Sequence, residues 1–264
     1  MPFVHVQGHR IEYEFVGAVR GAPVIVFLHE GLGSLSMWRN FPSRVAHATG
    51  CKALVYSRYG YGNSDALSAP RTTGFMHEEA LQALPKLLDE LQVRRPILFG
   101  HSDGASIALI YAGGSGRKLA GLVAMAPHVM VEEVCLRSIR QAKITYQTTD
   151  LRAKLARYHA DPDSAFRGWN DIWLQPEFLH WNIEEYLPRI ACPILAIQGE
   201  DDEYGTMEQL ERIAKHAADV DLVRLRDCRH SPQRDQPEAV VEAVVRFVDR
   251  IVGNTGLPAS HRAR

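Results

Sequence analysis

Long apolar segments are missing from this sequence. No run approaches the roughly 18 residues that a helix needs to cross a bilayer. The first fifteen residues, MPFVHVQGHRIEYEF, alternate between apolar and polar side chains and do not contain the continuous apolar stretch of a secretory signal peptide. We therefore predict a cytoplasmic protein with no membrane partner.

Cysteine is scarce and scattered. The four cysteines, Cys51, Cys135, Cys192 and Cys228, form no CxxC pair, so a disulfide framework or a zinc ribbon is not expected. His5 and His9 are four positions apart, but they lie in strand-like sequence, where that spacing does not bring two ligands together. No metal site is predicted.

An excess of charge of one sign is absent as well. The 30 Lys and Arg residues nearly balance 31 Asp and Glu residues, which leaves a net charge of -1. This balance argues against nucleic acid or an anionic membrane as a partner. With 264 residues, 46% of them hydrophobic, the chain is long enough to bury a sizeable core as one large domain or two small ones.

What the sequence does contain is a series of short apolar runs separated by helical patterns. Two alternating segments, 3–6 and 11–16, predict a hairpin around Gly8. Continuous apolar runs, typical of strands buried on both faces, cover 23–28, 52–56, 96–99, 121–126 and 193–197, and a more polar run covers 220–225. Helical periodicity covers 37–48, 78–91, 106–113, 207–217 and 238–252. The alternation predicts an α/β fold with a mostly parallel sheet flanked by helices and the hairpin at one edge.

Residues 129–188 interrupt this alternation. They contain helical sequence and no strand-like run, and they hold three of the four tryptophans, Trp169, Trp173 and Trp181. Helices that face only solvent rarely carry so many tryptophans, so an inserted helical cap that packs aromatic rings onto a site is favoured over ordinary surface helices. We predict a core of 1–128 and 189–253, a cap of 129–188, and a flexible tail of 254–264.

The segment LFGHSDGASIALIYA passes from a buried strand into a helix through a serine flanked by two glycines. Gly100 and Gly104 stand two positions on either side of Ser102, where a sharp turn leaves no room for a Cβ atom. The turn places the serine hydroxyl at the N-terminus of the helix in a strained conformation.

Other polar residues follow the remaining apolar runs. Glu200, Asp201, Asp202 and Glu203 follow the run 193–197, and His230 follows the run 220–225. Because ligands gather at the carboxyl ends of parallel strands, a serine, a carboxylate and a histidine are expected in that order at one end of the sheet.

These residues resemble the α/β-hydrolase fold family over nearly the whole chain. The stretch 100–104 matches the nucleophile elbow G-x-S-x-G, and the segments 58–64 and 230–232 resemble further motifs of capped members. The resemblance implies Ser102 as nucleophile and His230 as general base. It implies Asp202 as the orienting acid, because the family places the acid three residues after the glycine that ends the strand, here Gly199; Asp201 and Glu203 are rivals.

The resemblance also implies an oxyanion hole formed by the backbone N–H groups of Gly31 and Asp103. Glu30 departs from the family pattern, because glycine is frequent there; it is expected either to bind the Arg58 region or to orient a substrate hydroxyl or water. Arg229 is a second departure, which would crowd His230 or attract an acidic substrate.

The predicted function is a serine hydrolase, carboxylesterase-like, that cleaves a small carboxylic ester, thioester or lactone without a metal or organic cofactor. Its partner would be a small acyl substrate, and Glu30, His128, Trp169, Trp173 and Trp181 are candidate substrate-binding residues. Arg229 or Arg58 near the site would favour an anionic substrate. The alternatives are a carbon–carbon bond hydrolase of a keto acid, a cofactor-free oxygenase or perhydrolase, and a non-catalytic ligand receptor. A monomer or small homo-oligomer is expected.

Overall fold

The computed structural model describes residues 1–17 and 23–254 of the chain. Within these residues the centre of the molecule is an eight-stranded sheet in the order β1-β2-β4-β3-β5-β6-β7-β8. Its strands are β1 Phe3–Val6, β2 His9–Val16, β3 Ile25–Leu28, β4 Ala53–Tyr56, β5 Ile97–His101, β6 Gly121–Met125, β7 Ile194–Gly199 and β8 Val220–Leu225. The predicted tail of 254–264 lies outside the described residues, apart from Asn254.

Strand direction divides the sheet into an antiparallel edge and a parallel body. The predicted hairpin of β1 and β2 occupies one edge, and β2 pairs antiparallel with β4. From β4 through β3, β5, β6, β7 and β8 all pairs are parallel. The carboxyl ends of these six strands therefore meet along one edge, and the predicted fold class is confirmed.

Both faces of the sheet are buried, because alternate side chains of each strand enter different hydrophobic clusters. Val26 and Leu28 of β3 pack into one cluster, whereas Ile25 and Phe27 pack into the other. Phe27 stacks on Phe99 of the neighbouring strand at 4.8 Å between ring centroids. The apolar runs in the sequence predicted these strands because a strand that is buried on both faces has no polar face.

Helices cover the two faces. They are α1 Phe41–Thr49, α2 Phe75–Glu78, α3 Leu84–Glu90, α4 Asp103–Gly114, α5 Glu133–Thr148, α6 Leu151–Leu155, α7 Pro162–Trp173, α8 Glu208–His216, α9 Pro232–Asp235 and α10 Pro237–Asn254. None of the described helices is long and apolar enough to cross a membrane.

The single helix predicted for 78–91 is wrong in detail. A wide π-helical turn at Glu79–Ala83 separates α2 from α3. Pro85 stands in the first turn of α3, where its missing N–H and its ring disfavour a regular hydrogen-bonding pattern with the preceding turn. A π turn relieves this conflict by lengthening the hydrogen-bonding ring.

The segment that the sequence predicts as a cap lies between β6 and β7. It contains α5, α6 and α7, followed by 3₁₀ turns at Pro176–His180 and Glu184–Arg189. Its three tryptophans and Phe178 are buried, and Trp169, Trp173 and Phe178 join the same hydrophobic cluster as Val26 and Leu28 of the sheet. These aromatic side chains therefore pack the segment against the sheet.

Candidate active site

Ser102 occupies the turn between β5 and α4. Its backbone lies in a strained region, with φ of 53° and ψ of -120°. The flanking glycines make the turn possible: a Cβ at Gly100 would overlap the backbone of Gly104 and Ala105, and a Cβ at Gly104 would overlap the carbonyl of Leu28. The strain holds the hydroxyl of Ser102 outside the sheet, above its carboxyl edge.

Three side chains from three strand ends meet at this turn. The Oγ atom of Ser102 lies 2.9 Å from Nε2 of His230. The Nδ1 atom of the same ring lies 2.8 Å from Oδ1 and 3.0 Å from Oδ2 of Asp202. The geometry permits a proton to pass from the hydroxyl to an imidazole whose other nitrogen faces a carboxylate.

The structure distinguishes Asp202 from its two rivals. Glu203 accepts a hydrogen bond from the backbone N–H of His230 at 3.2 Å and does not contact its ring, and Asp201 is exposed. Asp202 is held in place because its carboxylate also accepts bonds from the backbone N–H of Tyr204 at 2.8 Å and from the Gln198 amide at 3.2 Å.

The contact between Asp202 and His230 lowers the pKa of the carboxylate and raises the pKa of the imidazole. Burial alone would raise the pKa of Asp202, but the charge and hydrogen bond of His230 hold that pKa below its ordinary value. Burial alone would lower the pKa of His230, but Asp202, with smaller contributions from Glu203 and Glu30, raises it. The arrangement therefore stabilises an imidazolium that forms during a reaction.

The two backbone N–H groups predicted to form an oxyanion hole belong to residues that line the same cavity as Ser102. Among the described residues, neither Gly31 N nor Asp103 N donates a hydrogen bond. Asp103 begins α4, where the helix dipole favours negative charge. Gly31 lies against α7, since a Cβ there would overlap the indole of Trp169.

Glu30 does not bind Arg58 through its carboxylate. Instead Oε2 of Glu30 lies 3.4 Å from Nδ1 of His101, and Oε1 lies 3.6 Å from Arg234. Burial alone would raise the pKa of Glu30, but His101 and Arg234 hold it well below its ordinary value. Nε2 of His101 in turn bonds the carbonyl of His230 at 2.7 Å. Glu30 thus belongs to a chain of contacts that supports His230.

The two arginines expected to favour an anionic substrate lie elsewhere. Arg58 is buried and donates to the carbonyl of Glu30 at 2.9 Å and to that of His29 at 3.2 Å. Arg229 is exposed, and its backbone N–H bonds Asp235 at 2.9 Å. Neither residue is part of the lining of the cavity at Ser102, so neither presents its side chain to a substrate bound there.

A cavity of about 170 Å³ opens onto Ser102. Its lining comes from the loop after β3, the nucleophile turn, the cap and the turns after β6, β7 and β8: Glu30, Gly31, Leu32, Ser102, Asp103, His128, Cys135, Ile139, Trp169, Trp173, Glu203, Tyr204, His230 and Ser231. Four of the five predicted substrate-binding candidates, Glu30, His128, Trp169 and Trp173, are therefore at the cavity.

Trp181 is the candidate that the structure places elsewhere. Its ring stacks on Phe178 with centroids 5.5 Å apart and lies 6.0 Å from Trp173, and it is not part of the cavity lining. Trp181 therefore packs as a buried aromatic residue against Phe178 and Trp173.

Two polar side chains of the lining are buried with an unpaired atom. Oδ1 of Asp103 accepts a bond from the indole N–H of Trp173 at 3.2 Å, while Oδ2 of Asp103 and Nδ1 of His128 have no hydrogen-bond partner. Burial raises the pKa of Asp103, although Arg58 opposes this. Burial, assisted by the charge of His230, lowers the pKa of His128 to about 3, which keeps its ring neutral.

Sequence reasoning missed several lining residues. Tyr204 packs against the ring of His230 with centroids 4.6 Å apart, and its position just after Asp202 was an available signal. Cys135 and Ile139 line the cavity from α5; their spacing of four places them on one helix face, but nothing in the sequence identifies which face meets Ser102.

Comparison with known proteins agrees with this architecture. A model described as the alpha/beta hydrolase family matches residues 25–243. The chain is 24% identical to a 2-hydroxy-6-oxononadienedioate/2-hydroxy-6-oxononatrienedioate hydrolase of Cupriavidus pinatubonensis, over 90% of each chain.

Solved structures show the same fold. Proline iminopeptidase from Mycobacterium smegmatis superposes with a TM-score of 0.76 at 18% identity, covering 96% of this chain and 99% of that one. The enol-lactonase from Burkholderia xenovorans LB400 superposes with a TM-score of 0.74 at 22% identity, covering 94% and 99%.

Proposed function

The chain belongs to the alpha/beta hydrolase family, and we propose that it is a serine hydrolase that cleaves a small carboxylic ester, thioester or lactone through an acyl-enzyme on Ser102. The observation that carries this proposal is the contact of Ser102 Oγ with His230 Nε2 at 2.9 Å, on a ring whose Nδ1 faces Asp202 at 2.8 Å. A carboxylesterase-like enzyme is the simplest function for this arrangement.

The proposed reaction assigns one task to each residue. His230 removes the proton of Ser102 as Oγ attacks the acyl carbon, and the resulting oxyanion accepts hydrogen bonds from the backbone N–H groups of Gly31 and Asp103. His230 then protonates the leaving oxygen or sulfur as its bond to the acyl carbon breaks. Water, deprotonated by His230, releases the acid and regenerates Ser102. Asp202 keeps the ring in the required tautomer throughout.

Cleavage of a carbon–carbon bond in a keto acid is the second candidate. It is favoured by the similarity to the Cupriavidus hydrolase, whose name describes a dicarboxylate substrate. The cavity argues against a dianion, because no lysine or arginine is part of its lining, and burying an unpaired carboxylate is costly. An ester, thioester or lactone with no negative charge suits this lining better.

The proposal includes the cap as a separate unit. Residues 129–188 would form the wall that shapes the substrate cavity over the core formed by 1–128 and 189–253. Trp169 and Trp173 of α7 and Cys135 and Ile139 of α5 support this division, since they line the cavity from the cap.

Turnover of matched substrates tests the proposal. The wild type, Ser102→Ala and the control Ser43→Ala, which changes an exposed serine of α1, are assayed with p-nitrophenyl butyrate, an enol lactone and a 2-hydroxy-6-oxo-dienoate. We expect ester or lactone hydrolysis that falls about 10⁴-fold or more in Ser102→Ala only. Turnover of the dienoate alone would favour the carbon–carbon hydrolase, and equal rates in all three proteins would refute the acyl-enzyme.

A further inference from the structure

The lining of the cavity is rich in carboxyl groups. Glu30, Asp103 and Glu203 contribute such groups, whereas no lysine or arginine does so. His128 is kept neutral by burial, which lowers its pKa to about 3. His230 is the basic group of the lining on which positive charge is stabilised, because Asp202 outweighs the effect of burial and raises its pKa.

The three carboxyl groups differ in how well they are neutralised by the protein. Glu30 has His101 at 3.4 Å and Arg234 at 3.6 Å. The contact found for the Glu203 carboxylate is the backbone N–H of His230 at 3.2 Å, and no arginine or lysine in the described part of the chain lies within 4.0 Å of it. Asp103 is fully buried, and its Oδ2 has no partner. Glu203, an exposed residue, is therefore the lining carboxylate that is both accessible and without a lysine or arginine partner, whereas the unpaired Oδ2 of Asp103 is a buried atom.

Aromatic rings complete the lining. Trp169 and Trp173 enter from α7 and Tyr204 from the turn after β7. Aromatic faces attract a cation through the ring quadrupole, by about 0.5 to 2 kcal/mol per contact depending on desolvation. The lining thus combines aromatic rings with carboxylates and contains no lysine or arginine. This combination favours the binding of a cation and disfavours that of an anion.

We propose that the substrate carries a positively charged amino group, which is bound between the aromatic rings and the carboxylate of Glu203 while the acyl carbon lies at Ser102. This inference rests on the proposed serine hydrolase for the position of the acyl carbon. It extends that function by assigning the substrate class: an amino-substituted acyl compound rather than a keto acid or another carboxylate.

Binding to the inactive variant Ser102→Ala tests the inference without relying on turnover. Three amides that differ in one terminal group are compared by calorimetry: β-alanine 4-nitroanilide with an ammonium group, butyric 4-nitroanilide with a methyl group, and succinic mono-4-nitroanilide with a carboxylate. We expect the ammonium ligand to bind about tenfold more tightly than the methyl ligand, and the carboxylate ligand to bind the most weakly.

Second substitutions in the Ser102→Ala background locate the effect. Glu203→Gln and Trp169→Leu are each expected to weaken the ammonium ligand several-fold and to leave the methyl ligand within about twofold. Glu90→Gln, which removes an exposed carboxylate of α3 outside the cavity lining, is the charge-matched control and should leave all three ligands unchanged.

Several results would overturn the inference: equal affinity for the ammonium and methyl ligands, tighter binding of the carboxylate, an ammonium preference that survives both substitutions, or no binding of the ammonium ligand. Failure of the proposed function has a different signature. In that case Ser102→Ala still binds the ammonium ligand preferentially, but the wild type does not hydrolyse p-nitrophenyl 3-aminopropanoate or p-nitrophenyl butyrate.

Discussion

The indole of Trp169 occupies the space in which Gly31 would carry a Cβ atom. Helix α7 is therefore in direct contact with the loop that carries Gly31, whose N–H donates no hydrogen bond. We expect Gly31→Ala to push either Trp169 or this loop out of position and to lower kcat about 10²-fold, the usual effect of a lost oxyanion donor.

A second substitution tests whether the overlap is the cause. Trp169→Ala in the Gly31→Ala background makes room for the methyl group and should recover part of the lost kcat. Gly253→Ala, at a position where a Cβ meets nothing within 4 Å, is the control and should have no effect on activity. No recovery in the double variant would indicate that the steric account of Gly31 is wrong.

Aspartate-to-asparagine substitutions should identify which carboxylate orients His230. Asp202→Asn leaves the shape of the side chain intact but removes the charge that faces His230 Nδ1, so kcat should fall about 10⁴-fold. Asp201→Asn alters an exposed neighbour and should change kcat less than about twofold. Steady-state hydrolysis of p-nitrophenyl butyrate measures both. Similar losses in the two variants would contradict the assignment of Asp202.

The pH dependence of kcat/KM reports the protonation of His230. The reaction needs the neutral ring, and Asp202 raises the pKa of His230 above its ordinary value of 6.5. Activity should therefore fall as the pH decreases through a midpoint above 6.5. Glu203→Gln removes a negative charge that favours the imidazolium, so this midpoint should move to lower pH. Glu90→Gln should leave it in place, and a midpoint that rises in Glu203→Gln would be inconsistent with this electrostatic account.

Trp173 and Trp181 offer a matched test of a buried hydrogen bond. The indole N–H of Trp173 donates to Asp103 at 3.2 Å, whereas that of Trp181 has no partner. Both Trp→Phe substitutions remove similar volume, but only Trp173→Phe leaves both carboxyl oxygens of buried Asp103 unpaired. We expect Trp173→Phe to cost about 1 to 3 kcal/mol more in the free energy of unfolding. Urea unfolding midpoints measure the difference, and equal midpoints would contradict it.

The sheet, and a serine, a carboxylate and a histidine at its carboxyl edge, were predictable from the sequence because they follow from local rules, whereas the choice of Asp202 over Asp201 and Glu203 came from the family resemblance. A strand buried on both faces is apolar throughout, and side chains after parallel strands meet at one edge. Gly100 and Gly104 predicted the sharp turn because backbone atoms pass close to both glycines. The backbone of Ala105 lies against Gly100, and the carbonyl of Leu28 in the neighbouring strand lies against Gly104, so neither position has room for a Cβ atom.

The partners of Glu30 and the position of Trp181 could not be predicted, since both depend on contacts between distant segments. Glu30 meets His101 from β5 and Arg234 from α9, and no local pattern links these residues. Trp169 and Trp181 belong to the same aromatic-rich cap, yet only Trp169 lines the cavity. Which tryptophan reaches the cavity depends on how each helical segment is oriented against the core, and helix periodicity alone does not determine that orientation.

Covalent labelling with a fluorophosphonate, followed by intact mass measurement, tests whether Ser102 is the activated nucleophile. We expect one adduct per chain in the wild type and in Ser43→Ala, and none in Ser102→Ala, with circular dichroism confirming that all three proteins are folded. An adduct of equal yield in Ser102→Ala, or no adduct in the folded wild type, would contradict this expectation.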